Sequence, residues 1–149
     1  MQNICFVCTG NTCRSPFAEK IFNKYLKQAK LTEFKVFSCG IDADVTQDIN
    51  PYVVQILKQH KINVKSRKPK KLTKAMLSKC DLFITMTKSQ KQYIKANNVF
   101  SFGEMIGGED ILDPYGQDYQ TYLNMSKQVD DYCKILIQKI INIKGNKQW

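Results

Sequence analysis

The chain has 149 residues, 43% of them hydrophobic and 24% charged. That is the size of one domain, here residues 1–149, with room for a core, and the composition excludes disordered and collagen-like chains. Basic residues outnumber acidic ones by 23 to 13, giving a net charge of +10 and a surface attractive to anions.

All but two of the basic residues are lysine, the exceptions being Arg14 and Arg67. With no RNA-binding aromatic motif and no zinc-finger spacing, these lysines are expected to decorate solvated helix faces, and neither a nucleic-acid nor a membrane partner is expected. An arginine in so lysine-rich a chain points to positions that need a planar, two-pronged cation. No apolar run approaches the ~18 residues that span a bilayer. The start lacks the basic flank and cleavage site of a secretory signal, so a cytoplasmic monomer is expected. Six cysteines there read as thiols and not as a disulfide scaffold. Cys5 and Cys8 form a C-x-x-C, but Cys5 lies inside an apolar strand and no second pair exists to complete a zinc site.

Strand and helix signals alternate along the chain. Residues 3–7 form a short apolar run of strand length. Phe17, Ala18, Ile21, Phe22, Tyr25, Leu26 and Ala29 recur at three- and four-residue spacing, which predicts a helix over 16–30 with Pro16 at its first position. Residues 34–38 read as a second strand closed by Gly40, and Asn50-Pro51 opens a helix that runs to about Lys61. The basic stretch 58–74 reads as a surface connection, followed by a short helix over 73–79 and a strand over 81–86. A helix is predicted over 89–96 and a fourth strand over 99–102. Residues 103–118, glycine-rich and holding five of the thirteen acidic residues, are expected to form one long functional loop. A closing helix covers 119–143, with Val129, Cys133, Leu136, Ile140 and Ile143 on one face. Such alternation predicts an α/β fold whose parallel sheet is covered on both faces. Ligands in such folds bind at the carboxyl ends of strands, so the residues after Val7 are the first place to look.

Those residues are Cys8-Thr9-Gly10-Asn11-Thr12-Cys13-Arg14-Ser15-Pro16. Lying between a strand end and a helix start, they can turn successive backbone N–H groups inward around an anion, with Gly10 easing the turn and the helix terminus adding positive charge. If the loop wraps a phosphate, Arg14 can clamp two of its oxygens while the Cys8 sulfur lies beneath the phosphorus. The same surroundings favour the thiolate, which makes Cys8 a nucleophile in position. Ser15 is placed to hydrogen-bond that thiolate, and Asn11 to hold the loop's shape. Chance would supply C-x5-R-[ST] only about 0.008 times in a chain of this composition, so the motif is specific.

Val7-Cys8-Thr9-Gly10-Asn11-Thr12-Cys13-Arg14-Ser15-Pro16 resembles the signature loop of the low-molecular-weight protein tyrosine phosphatases. The resemblance extends to Ser38-Cys39-Gly40, where the family usually has Ser-Ala-Gly, to Thr85-Met86-Thr87, and to Leu112-Asp113-Pro114-Tyr115-Gly116. It implies a single domain with a four-stranded parallel sheet flanked by helices, flavodoxin-like or Rossmann-like. It also implies cysteine-dependent hydrolysis of phosphotyrosine in protein substrates, with no metal or other cofactor, and inorganic phosphate as product or inhibitor. Residue chemistry leaves Glu104, Glu109, Asp110, Asp113 and Asp118 all open as a general acid; the resemblance selects Asp113. It assigns catalysis to Cys8, Arg14 and Asp113, phosphate binding to Thr9, Gly10, Asn11, Thr12, Cys13, Arg14 and Ser15, and the pocket wall to Thr12 and Tyr115.

Thr12 stands where tyrosine-directed members often carry a bulky apolar residue. The loop and the single aromatic of Asp-Pro-Tyr-Gly look like the bacterial protein-arginine-phosphatase branch, which makes phosphoarginine the alternative substrate. Arsenate reduction would need a cysteine relay just after the third strand, where Thr85-Met86-Thr87 stands. A non-catalytic phosphate-binding module would not need Cys8, Arg14 and Asp113 together. Cys13 is a candidate redox partner for Cys8, and the reading as a small buried hydrophobe stands beside it. His60 reads as a surface or cap residue. Phe17 is a candidate pocket wall, and Arg67 with its lysine neighbours a candidate for steering phosphoproteins.

Overall fold

The computed structural model describes residues 2–65 and 67–146. Four parallel strands, β1 (Gln2–Cys8), β2 (Phe34–Gly40), β3 (Leu82–Thr85) and β4 (Val99–Ser101), lie in the order β2-β1-β3-β4. Helices α1 (Arg14–Gln28), α2 (Pro51–Gln59), α3 (Lys74–Lys79), α4 (Phe102–Ile106) and α5 (Tyr119–Asn146) connect and cover them. No described helix is long and apolar enough to cross a membrane.

β1 is central, and its side chains alternate between two cores as the two-residue strand period requires. Ile4, Phe6 and Cys8 face a core built with Phe17, Ile21 and Phe22 of α1 and Met125, Val129 and Cys133 of α5. Cys5 and Val7 face a smaller one with Cys39, Phe83 and Val99, against which Met76 and Leu77 of α3 pack. Cys8 is therefore delivered, at the carboxyl end of the middle strand, to the side from which α1 departs.

Three expectations are corrected. The helix after β1 begins at Arg14, so Pro16 is its third residue and not its first; an amide at either position lacks an intrahelical acceptor, so proline loses nothing by the change. Over 89–96 only a 3-10 turn forms, Ser89–Tyr93. The stretch 103–118 is not all loop: α4 occupies its start, closed by a capping box in which Ser101 Oγ accepts the Glu104 N–H at 3.2 Å and the Glu104 carboxylate accepts the Ser101 N–H at 3.0 Å. Gly103, which reads as a loop residue, is there for packing, since a Cβ would stand 2.5 Å from the Glu109 carbonyl oxygen. The connection 58–74 lies mostly along the surface as expected, but Pro69 is buried and Arg67 turns inward; Ser66 is outside the described residues.

Candidate active site

Between the end of β1 and the start of α1 the chain reverses in five residues, and Asn11 makes the reversal. It adopts a left-handed conformation, φ 54°, which asparagine tolerates better than most residues. Its backbone N–H then donates to Cys8 Sγ at 3.2 Å. The buried Asn11 amide uses all its hydrogen-bonding capacity. Nδ2 donates to Ser15 Oγ at 2.8 Å and Ser38 Oγ at 3.0 Å, and Oδ1 accepts from Arg67 Nη2 at 3.1 Å and the Lys70 N–H at 2.9 Å. Ser15 Oγ accepts from Asn11 and has two neighbours for its own proton, Cys8 Sγ at 2.9 Å and the Cys39 carbonyl oxygen at 3.4 Å. The sulfur thus faces one backbone donor of the loop and the hydroxyl of the first turn of α1.

Below this loop Ser38 Oγ donates to Glu19 Oε1 at 2.8 Å, and Arg67 Nη2 donates to Ser38 Oγ at 2.9 Å and lies 3.7 Å from Glu19. Gly40 must be glycine for the loop to sit so low: a Cβ there would meet the Thr9 carbonyl oxygen at 2.7 Å and the Asn11 nitrogen at 3.0 Å. Gln90, in the 3-10 turn, donates to Thr9 Oγ1 at 3.2 Å while accepting the N–H groups of Met86 and Thr87.

Arg14 is 5% exposed. Its Nη1 donates to the Ile111 carbonyl at 3.3 Å and its Nη2 lies 3.5 Å from Asp113 Oδ2. Asp113 reaches the cleft on a turn in which its Oδ1 accepts the Tyr115 N–H at 3.1 Å across Pro114, and Gly116 continues that turn with φ 74°. Cys8, Thr9, Gly10, Thr12, Cys13 and Arg14 line a cleft of about 300 Å³, with Asp113 and Tyr115 on its far side. Asn11 and Ser15, also predicted for phosphate binding, lie buried beneath it. The Cys13 thiol donates to Tyr122 Oη at 3.6 Å, and burial pushes it above the ordinary cysteine range.

The structure corrects two further expectations, for Arg67 and Phe17, and places His60 as the cap it was expected to be. Arg67 is no surface residue steering substrates; it is folded under the loop as an anchor of Asn11 and Ser38. Phe17 does not wall the pocket but is fully buried in the core. His60 ends α2, its ring edge-on to Phe17 at 5.9 Å, and burial lowers its pKa. The Cys5 thiol is held protonated by contact with the Cys39 and Cys80 sulfurs and by burial, as suits a core residue. Sequence reasoning missed Asp42, Asp44 and Gln47, which also line the cleft. They follow the carboxyl end of β2, so the strand-end rule that located Cys8 would have found them if applied to the second strand.

The profile of the low molecular weight phosphotyrosine protein phosphatase family matches residues 3–147. The chain belongs to that family. It is 34% identical over 135 residues to the low molecular weight protein-tyrosine-phosphatase PtpB of Staphylococcus aureus, covering 86% of this chain and 91% of that one. It is 30% identical over 147 residues to the protein-arginine-phosphatase of Bacillus subtilis (strain 168), covering 93% and 97%. It matches the crystal structure of the low molecular weight protein tyrosine phosphatase from T. tengcongensis with a TM-score of 0.86 at 31% identity, covering 93% of this chain and 99% of that one. As a low molecular weight phosphatase the chain is a cysteine-dependent hydrolase of phosphorylated proteins.

Proposed function

We propose that this phosphatase hydrolyses phosphotyrosine in proteins through a cysteinyl-phosphate intermediate on Cys8. The observation that carries the reading is the sulfur itself: the Asn11 N–H donates to it at 3.2 Å and the Ser15 hydroxyl lies 2.9 Å away, at the base of a cleft where Arg14 and Asp113 stand 3.5 Å apart. Cys8 is 3% exposed and lines the floor of that cleft.

Cys8 Sγ attacks phosphorus in line, the bond from phosphorus to the phenolic oxygen breaks, and Asp113 gives its proton to the departing oxygen. A phenol has a pKa near 10, so protonating it as it leaves is worth about 10²–10⁴-fold. The Arg14 guanidinium and the amides of the loop hold the equatorial oxygens, whose charge they meet without a metal. Bound phosphate replaces Asp113 as the partner of Arg14. In the second step Asp113 takes a proton from water, the water oxygen attacks phosphorus, the sulfur–phosphorus bond breaks, and Ser15 Oγ–H bonds the released thiolate. Inorganic phosphate is product and competitor.

Phosphoarginine is the second reading. It is favoured by Thr12 on the cleft wall, whose hydroxyl can meet a guanidinium, and by the Bacillus subtilis relative. We infer a cytoplasmic monomer, in keeping with six free cysteines among the described residues, and a Cys8–Cys13 disulfide as its reversible oxidised form. Cys8→Ser is the test of the main reading: turnover of phosphotyrosine peptides should vanish while phosphate binding persists, and retained turnover would exclude Cys8 as nucleophile. Matched phosphotyrosine and phosphoarginine peptides in the same assay rank the two substrates.

A further inference from the structure

The loop that carries Asp113 is held from outside the cleft by a residue with no place in the chemistry above. Residues 110–112 run extended along the edge of the site. The Ile111 N–H donates to the Met86 carbonyl at 2.9 Å and the Ile111 carbonyl accepts from Arg14, so this peptide faces the sheet and the cleft. The neighbouring groups, the Asp110 carbonyl and the Leu112 N–H, face the opposite way, as alternate groups of an extended chain do. Both meet one side chain of α5. Gln128 Oε1 accepts the Leu112 N–H at 2.9 Å and Gln128 Nε2 donates to the Asp110 carbonyl at 2.9 Å. The carboxamide thus completes the two-point pairing that a neighbouring strand would have made. The amide supplies from one planar group both the acceptor and the donor that these two backbone groups require.

Among the described residues the Leu112–Gln128 bond is the last hydrogen bond from the loop backbone to another part of the fold before Asp113, whose side chain is 59% exposed. Upstream, Tyr132 Oη donates to the Glu109 carbonyl at 2.8 Å and the Lys88 N–H donates to Asp110 Oδ1 at 3.0 Å. Those anchors fix where the loop begins. Gln128 fixes the direction in which it continues, and hence where the Asp113 carboxyl stands over Arg14 and the phosphate.

We propose that Gln128 is a positioning residue for proton transfer by Asp113, acting across the loop from α5. The proposal rests on the reading of Asp113 as the general acid. Leaving groups of different acidity separate this role from a merely structural one, because a poor leaving group needs the proton and a good one does not. In Gln128→Leu, kcat/KM for phenyl phosphate should fall about tenfold or more, and for p-nitrophenyl phosphate less than about threefold, within the range that general acid catalysis commands. In Asp113→Asn the same substitution should add nothing, because its only route of action is gone. Gln128→Glu keeps the acceptor for Leu112 and loses the donor to Asp110; it should show the same selectivity in weaker form, and it carries the test if the leucine variant does not fold. Equal losses on both esters, or losses that add to those of Asp113→Asn, would overturn the proposal. If Asp113→Asn alone left phenyl phosphate turnover intact, the general-acid reading itself would be what failed.

Discussion

Asn11 shows how much one loop residue can carry. Its backbone N–H reaches the sulfur only because the residue is left-handed, and its side-chain amide ties together Ser15, Ser38, Arg67 and the Lys70 backbone. Asn11→Ala keeps the strain, removes four hydrogen bonds and leaves buried partners unsatisfied. It should lower stability by about 2–4 kcal/mol, read from urea unfolding, and should depress kcat/KM as the loop relaxes away from Cys8. A stability change near zero would mean that the loop holds its shape without the amide. Cys8, Arg14 and Ser15 were legible in the sequence because their geometry is local: strand end, six-residue spacing and helix start all lie in one decapeptide. The support was not, since Ser38 and Arg67 meet Asn11 from 27 and 56 residues away, and a hydrophilic arginine next to lysines reads as surface until the fold buries it.

At the scale of elements, the strands and long helices follow their hydrophobic periods closely, whereas the short ones depended on signals that glycine obscured. α4 has an S-x-x-E capping box in plain view at Ser101 and Glu104, yet Gly103, Gly107 and Gly108 made the segment read as loop. Gly107 is the left-handed C-cap of that helix, φ 76°, and Gly103 lies where a neighbouring backbone comes close. The Glu104 carboxylate, bonded to Lys91 Nζ at 2.8 Å and to the Ser101 N–H, has its pKa lowered to about 2, the lysine being the larger cause. A depressed carboxylate pKa contributes stability above the unfolded value of about 4.3 and loses it as pH falls towards the folded one. Glu104→Gln should therefore unfold more easily than the parent at pH 6, and the difference should shrink steadily between about pH 4 and pH 2. Chemical denaturation across that range checks it, and a pH-independent difference would show that packing, not the charge, makes α4.

Over the whole molecule, a net charge of +10 surrounds a cleft whose own rim carries Asp42, Asp44 and Asp113 against a single arginine. The Asp44 carboxylate is held below its usual pKa by the Thr46 hydroxyl and N–H, so it stays charged at neutral pH. In the proposed reading, phosphate is held chiefly by Arg14 and the loop amides and not by the general positive field, which salt screens. A ligand that binds only the folded state stabilises it by about 2.7 kcal/mol at a hundred times its Kd, roughly 5–10 °C in Tm for a chain this long. Inorganic phosphate should produce such a shift in the parent, at moderate as well as low ionic strength, and Arg14→Ala should abolish it. A shift that survives the substitution would place the bound anion on surface lysines.

The proposed mechanism turns on where the phosphoryl group goes first. Asp113→Asn, mixed with p-nitrophenyl phosphate, whose leaving group needs no proton, and acid-quenched within the first turnover, should yield a single phosphorylated peptide by mass spectrometry, with the group on the Cys8 sulfur. A phosphoryl group on any other residue, or hydrolysis complete with the enzyme never labelled, would contradict it.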